Sequence, residues 1–384
     1  MKLILKYKNL NFISSIFIVL MFQLIFELYI YNKSLKNKFL FGDFFLYNIE
    51  ANDLYIPLIL SIISIILQFL ILYLYLTFSK KNQNYPVGTN YYIILLFFIY
   101  FLIFVSTEMG FTSSKKSYFG ILISILPPTF LIIFLSIKDW NFKFLICLIL
   151  FTLMYYINGI LIGLFTVLWI IFFKLKLDIK KFFLLLFFFP LSLIIINQVI
   201  DYKFKKRGGD YALNQFNIEN HLISRFAINQ NLTYINLHKT QISLFCKNNY
   251  LNQYQTAIYQ IIPKKIFNLG SPKTINNCVL DFYLNSESLN SSIKTSFVGN
   301  VILISEKNNK NALFYILFVI ILLLINALLI NTLLGKKGYV YLFYLMFIFF
   351  MDGSIGLLSH SIFFLSIVVL YFSLMKPFYI YSND

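Results

Sequence analysis

The sequence predicts an all-α polytopic membrane protein, with about ten transmembrane helices and one large external loop containing short helices. Three observations predict it. Of the 384 residues, 59% are hydrophobic and 12% charged, with a mean hydropathy of +0.77, whereas soluble domains carry about 25% charge. Apolar runs near the length of a bilayer crossing recur along most of the chain. Polarity is gathered in one island, Asp201 to Lys310, which holds 13 of the 32 Lys and Arg and 6 of the 15 acids. It also holds two of the three His, two of the three Cys and both arginines, Arg207 and Arg225. The chain thus divides into a membrane domain of about seven helices over 1–200, the large loop over 201–310, and about three helices over 311–384.

In order, spans are expected at Leu10–Tyr31, Tyr55–Phe78, Tyr91–Ser106, Phe119–Ile137 and Phe142–Ile157. The rest fall at Gly159–Phe173, Phe182–Ile200, Asn311–Leu334, Tyr339–Met351 and Leu357–Met375. Leu10–Tyr31 is too long for the apolar part of a signal peptide and lacks a small-residue cleavage site, so it reads as a retained first span. Pro127-Pro128 and Pro190 fall inside spans and should kink them, with neighbouring helices meeting the freed carbonyls.

The net charge of +17 does not mark a nucleic-acid binder, because the lysines are scattered through short connections rather than set in a stripe. They read as topology signals. With a cytoplasmic amino terminus, 14 Lys fall in inside connections and five (Lys33, Lys36, Lys38, Lys115 and Lys116) in the short outside loops. That excess places both termini inside and the island outside. The expected location is the bacterial cytoplasmic (inner) membrane, with membrane lipid as a partner. Cys246 and Cys278 would then face an oxidising compartment in a Gram-negative cell, either as a disulfide or as two thiols. Cys147 lies within a span and reads as packing.

Few polar residues fall in or beside the spans. Glu27, in the outer half of the first, is either a functional intramembrane acid or one that reaches the interface. Asn158-Gly159 reads as a tight turn, and Asp352-Gly353-Ser354 with His360 as helix capping by Asp or Ser or as the mouth of a site.

Within the island, Lys203 to Asp210 forms a cationic run containing Lys206 and Arg207, suited to lipid headgroups or a pyrophosphate. In Glu219 to Phe226 a helix would put His221 and Arg225 four residues apart on one face. Arg offers a permanently charged fork for phosphate oxygens, and His can move a proton near neutral pH. His238 and Lys239 are weaker candidates. Ile261 to Lys273 converges Lys264, Lys265 and Lys273 on one short stretch fixed by Pro and Gly. No phosphate-binding loop, HExxH, CxxC or DxD-like pair occurs, so neither nucleotide hydrolysis nor a tightly bound catalytic metal is expected, and no cofactor.

This arrangement resembles the O-antigen and capsule repeat-unit polymerases of the Wzy type. Ile262-Pro263-Lys264 with Phe267 and Pro272-Lys273 is similar to their Ile-Pro-Arg segment with its aromatic and Lys-Pro pair. Ser296-Phe297-Val298-Gly299 is similar to their Ser-x-x-Gly. Lys264 stands where Arg is usual, the Pro–Lys order is reversed, and Glu306 to Lys310 replaces a Gly-rich segment.

The resemblance implies a metal-independent glycosyltransferase on the outer face. It would pass a glycan from undecaprenyl diphosphate to a new lipid-linked repeat unit, alongside a chain-length regulator and a flippase. Arg207 and Arg225 would hold the diphosphate, assisted by Lys206, Lys264, Lys265 and Lys273, with His221 or Glu219 as the base for the acceptor hydroxyl. Competing readings are an O-antigen ligase delivering glycan to a lipid A core, a flippase or transporter of the same lipid-linked units, and a membrane anchor with an outer domain.

Overall fold

The computed structural model describes residues 2–36, 39–41, 44–46, 51–79, 91–107, 122–123, 125–138, 140–157, 161–174, 198, 228–261, 272–284 and 294–380. Apart from one short β pair, they are dominated by helices. By contacts the chain forms two compact units, Met1–Gln83 with Glu219–Asp384, and Asn84–Ile218.

The first unit opens with α1 (Lys2–Lys36) and α2 (Ala51–Phe78), which pack on each other. The buried side of α1 repeats every three or four residues at Ile16, Leu20, Gln23, Glu27 and Ile30. On α2 the same spacing buries Leu54, Leu58, Ser61, Ile65, Gln68, Leu72 and Tyr75. Between these helices β1 (Phe39–Phe41) and β2 (Phe44–Leu46) pair antiparallel, Phe41 opposite Phe44 and Phe39 opposite Leu46. The expectation of helices alone missed this pair, although Gly42-Asp43 between two aromatic runs is a two-residue hairpin signature.

Four helices follow from the polar island: α7 (Ile228–Phe245), α8 (Tyr250–Ile261), α9 (Ile275–Leu284) and α10 (Phe297–Lys307). The unit closes with α11 (Asn309–Leu334), α12 (Tyr339–Asp352) and α13 (Ile355–Ile380). Leu334 to Gly338 reverses the chain between α11 and α12, and Tyr75 of α2 donates to the Gly335 carbonyl at 2.7 Å. Helix α12 is the centre of this unit. Tyr339, residues 341–347 and residues 349–351 are all buried, the pattern of a helix enclosed by protein on every side.

The second unit contains α3 (Tyr91–Thr107), α4 (Pro128–Lys138), α5 (Phe142–Ile157) and α6 (Leu161–Lys174). The Pro127-Pro128 pair does not kink a continuous helix. It starts one, with Pro128 at the first helical position, where its missing N–H costs nothing. Tyr100 of α3 donates to the Leu126 carbonyl at 2.6 Å, meeting a carbonyl freed at this break as a neighbouring helix should. Lys174 reaches the Ser136 carbonyl in the last turn of α4 at 3.1 Å, and Cys147 is buried packing.

Among the described residues, four segments are long and apolar enough to cross a membrane: Ile16–Lys33, Asn52–Phe78, Asn309–Asp352 and Ile355–Ser373. Tyr91–Ser106, Pro128–Ile137, Phe142–Ile157 and Gly163–Lys174 are shorter apolar helices. Pro190, most of the expected span Phe182–Ile200 and the Asn158-Gly159 turn lie outside the described residues.

Candidate functional site

Helices α7 to α10 are built onto the ends of the apolar helices of their unit. The foundation is Glu27. Its side chain is fully buried in α1, and its carboxylate accepts the Ile228 amide on Oε1 (2.8 Å) and the Asn229 amide on Oε2 (3.0 Å). Those are the first two residues of α7, whose opening amides have no partner within the helix and whose dipole favours a negative charge there. Glu27 is therefore a partnered acid with both oxygens engaged by protein. It holds the first island helix to the first membrane helix.

A second tie is covalent. Cys246, in the turn after α7, is bonded to Cys278 of α9, with 5.8 Å between Cα atoms and 32 residues of sequence separation. Of the two states the sequence left open, the disulfide is the one observed. Around it the Lys273 carbonyl accepts from Asn249 (3.1 Å) and Asn252 (2.8 Å), while Lys273 Nζ pairs with the buried Asp281 carboxylate at 3.2 Å. Tyr250 donates to the Leu303 carbonyl at 3.0 Å and lies 2.9 Å from Ser243 Oγ. Burial pushes its phenol above the ordinary tyrosine range, so at neutral pH it keeps the proton that those bonds need.

A buried polar knot closes the base of this body. Helix α12 stops at Gly353, whose φ of +76° is left-handed and whose N–H bonds back to the Phe349 carbonyl at 2.8 Å. The stop comes from this glycine. Asn276 donates to the Asp352 carbonyl (2.7 Å) and Asn300 to the Gly353 carbonyl (2.8 Å), so side chains of α9 and α10 satisfy the end of α12. Thr295 Oγ1 lies 2.9 Å from Asn276 Oδ1 and 2.7 Å from Asn300 Oδ1, sharing one proton between two acceptors. Next to it Ser296 holds a φ of +62°, and its Oγ accepts the Gly299 amide at 3.1 Å to cap α10. The Ser-x-x-Gly stretch is thus a helix-capping turn. A Cβ on its glycine would stand 2.8 Å from Ile235 Cδ1 of α7, so a larger residue there requires that side-chain end to shift.

On the surface of the same body lies an aromatic and imidazole cluster. Tyr234 packs at 4.8 Å from His238 and 5.6 Å from Tyr283, and Phe282 lies 5.6 Å from the exposed Phe245. Burial, with Tyr283 beside it, pushes the Tyr234 phenol up to about 12, so it is neutral here. His238 meets Gln241 at 3.3 Å, and Lys239 meets Glu306 at 3.9 Å.

Of the expected catalytic and diphosphate-binding residues the structure describes Lys273, and of the weaker candidates His238 and Lys239. The charge of Lys273 is shared with Asp281, so this side chain braces the chain as well as offering a cation. Glu219, His221, Arg225, Lys206, Arg207, Lys264 and Lys265 lie outside the described residues, as do Ile262, Pro263 and Phe267. The sequence reading missed the Asn276–Thr295–Asn300 knot. Its signal was present: a 14-residue helix ending at Gly353 lies about 21 Å from its start at 1.5 Å per residue. A helix end buried in protein needs polar partners for its free carbonyls.

No family model, no curated protein and no solved structure matches this chain.

Proposed function

We propose that this chain is a membrane glycosyltransferase that polymerises undecaprenyl-diphosphate-linked oligosaccharide units into surface polysaccharide, O-antigen or capsule. In this reading about ten helices cross the cytoplasmic membrane of a bacterium. Both termini are cytoplasmic, and the segment 201–310 works at the outer face. The observation that carries the reading is the disulfide-closed body of α7 to α10. It gathers the chain's polar investment on the ends of the apolar helices, and a disulfide belongs to an oxidising compartment.

The reaction asks little covalent chemistry of the protein. A hydroxyl of the acceptor unit attacks the anomeric carbon of the donor glycan. A glycosidic bond forms, the carbon–oxygen bond to the diphosphate breaks, and undecaprenyl diphosphate leaves. Arg207 and Arg225, with Lys206, Lys264, Lys265 and Lys273, supply positive charge to the leaving diphosphate, while His221 or Glu219 takes the hydroxyl proton. Binding both glycans in register supplies the rest.

One observation favours a second reading, transport of lipid-linked units. Gln23 of α1 and Gln68 of α2 are 5% and 0% exposed, and neither carboxamide has a hydrogen-bond partner among the described residues. Buried polar groups at membrane depth often mark a substrate path. The surface glycan of a strain deleted for this gene separates the readings. A ladder collapsed to core plus one repeat supports the polymerase. Polymer retained on the lipid carrier and absent from the core is the ligase outcome, and loss of outward-facing units is the transport outcome.

A further inference from the structure

In α8 glutamines are turned into the protein while several branched apolar side chains are left exposed. Positions 250, 253, 257 and 260 share one side of the helix, and that side is turned into the protein. Tyr250 bonds to the Leu303 carbonyl, Gln253 is buried, Ala257 is buried, and Gln260 Oε1 lies 2.8 Å from where a Cβ on Gly356 would stand. The outward arc carries Leu251, Tyr254, Ile258 and Ile261, with Gln255 as its polar member. Leu251 is 71% exposed, Ile258 50% and Ile261 37%. A helix facing water turns its apolar residues inward and its polar ones outward. Here Gln253 and Gln260 face protein, and Leu251, Ile258 and Ile261 face out.

The outward arc also continues a surface that a bilayer must cover. Tyr254 meets Phe314 and Phe318 of α11 edge to face at 5.4 and 5.2 Å. On α11, within a segment long and apolar enough to cross, Leu313, Phe314 and Leu317 are themselves more than half exposed or nearly so. Depth agrees with this continuity. Helix α12 spans about 21 Å, less than a hydrocarbon core of about 30 Å. Helix α8 packs along α13, which begins immediately beyond the Gly353 turn.

From the exposed apolar face, its continuity with α11 and the short α12, we infer that α8 lies in the bilayer leaflet on its side of the membrane. Its Leu251, Ile258 and Ile261 face is docked on lipid hydrocarbon chains. The stretch expected to be part of an external loop is therefore partly a membrane element. The inference stands whether or not the chain acts on a glycan.

The test uses the full chain in liposomes, with Cys147→Ser removing the free thiol and the Cys246–Cys278 bond kept. A nitroxide is attached at Leu251→Cys, Ile258→Cys or Ile261→Cys, with Ile321→Cys on α11 as the lipid-facing reference and the exposed Thr240→Cys as the aqueous one. Collision rates are measured with oxygen, which partitions into lipid, and with a water-soluble nickel chelate. The expected oxygen-to-nickel ratio at 258 and 261 matches that at 321 and is several-fold above that at 240. A ratio matching 240 places α8 in water and overturns the inference. Low collision with both reagents, the sign of a second protein copy on this face, overturns it too. Three separate sites keep the test decisive if one substitution fails to fold.

Discussion

Glu27 shows how a single side chain can change meaning once its partners are seen. In the sequence it is an acid in an apolar helix, and such residues are read as functional. In the structure it spends both carboxylate oxygens on the opening amides of α7. Glu27→Ala leaves two buried N–H groups without an acceptor, at about 1–3 kcal/mol each. Glu27→Gln keeps one acceptor oxygen and should cost less. Thermal unfolding in detergent is expected to rank wild type above Glu27→Gln and Glu27→Ala last; an unchanged Glu27→Ala midpoint would refute the anchor.

Two glycines at the same turn make a sharper comparison. A Cβ on Gly353 would sit 2.5 Å from the Ser296 carbonyl oxygen on a backbone of φ +76°, whereas one on Gly356 would meet the movable end of Gln260. Gly353→Ala is therefore expected to lower stability by about 1–3 kcal/mol or more, since both backbone strain and a rigid neighbour oppose it. Gly356→Ala should be much milder. Equal midpoints for the two variants would contradict this account of the turn.

Among the elements, the disulfide carries the largest single quantity. Closing a loop of 32 residues removes unfolded-chain entropy worth about 3–4 kcal/mol. Replacing both cysteines by serine should lower the unfolding midpoint and loosen α9 from the end of α7, read as faster proteolysis within 228–307. On a thiol-counting gel the intact protein should take up a bulky maleimide at Cys246 and Cys278 only after reduction. Labelling without reduction would remove the covalent tie.

Apolar periodicity made most helices legible: Tyr91–Ser106, Phe142–Ile157, Asn311–Leu334 and Tyr339–Met351 are each met by a helix within a few residues. Where two principles competed, the sequence was ambiguous. Pro127-Pro128 can kink a helix or start one, and only the Leu126–Tyr100 contact shows which occurred. The hairpin at 39–46 was hidden because six of its eight residues are Phe or Leu, as apolar as the spans on either side.

For the molecule as a whole, the sequence marked the polar island but not its attachment, and the compact units divide it between Ile218 and Glu219. Counting charges isolates 201–310, but long-range bonds tie it down: Glu27 to Ile228, Asn276 to Asp352, Asn300 to Gly353. Partners more than 50 residues apart leave no periodic trace. The same bonds explain why the contact-based unit joins Met1–Gln83 to Glu219–Asp384 rather than following the polar boundary. A catalytic reading places the transferred glycan beside this body. The transport reading instead rests on the buried Gln23 and Gln68.

The most direct measurement of the proposed activity is reconstitution. The purified full chain in liposomes is given an undecaprenyl-diphosphate-linked repeat unit in the presence of a chelator, and products are read by mass. The account predicts glycans of two, three and more repeats on the lipid, with one undecaprenyl diphosphate released per bond formed and loss of both in Arg225→Ala. Repeat units recovered unchanged from the wild-type protein, folded and disulfide-bonded, would contradict it.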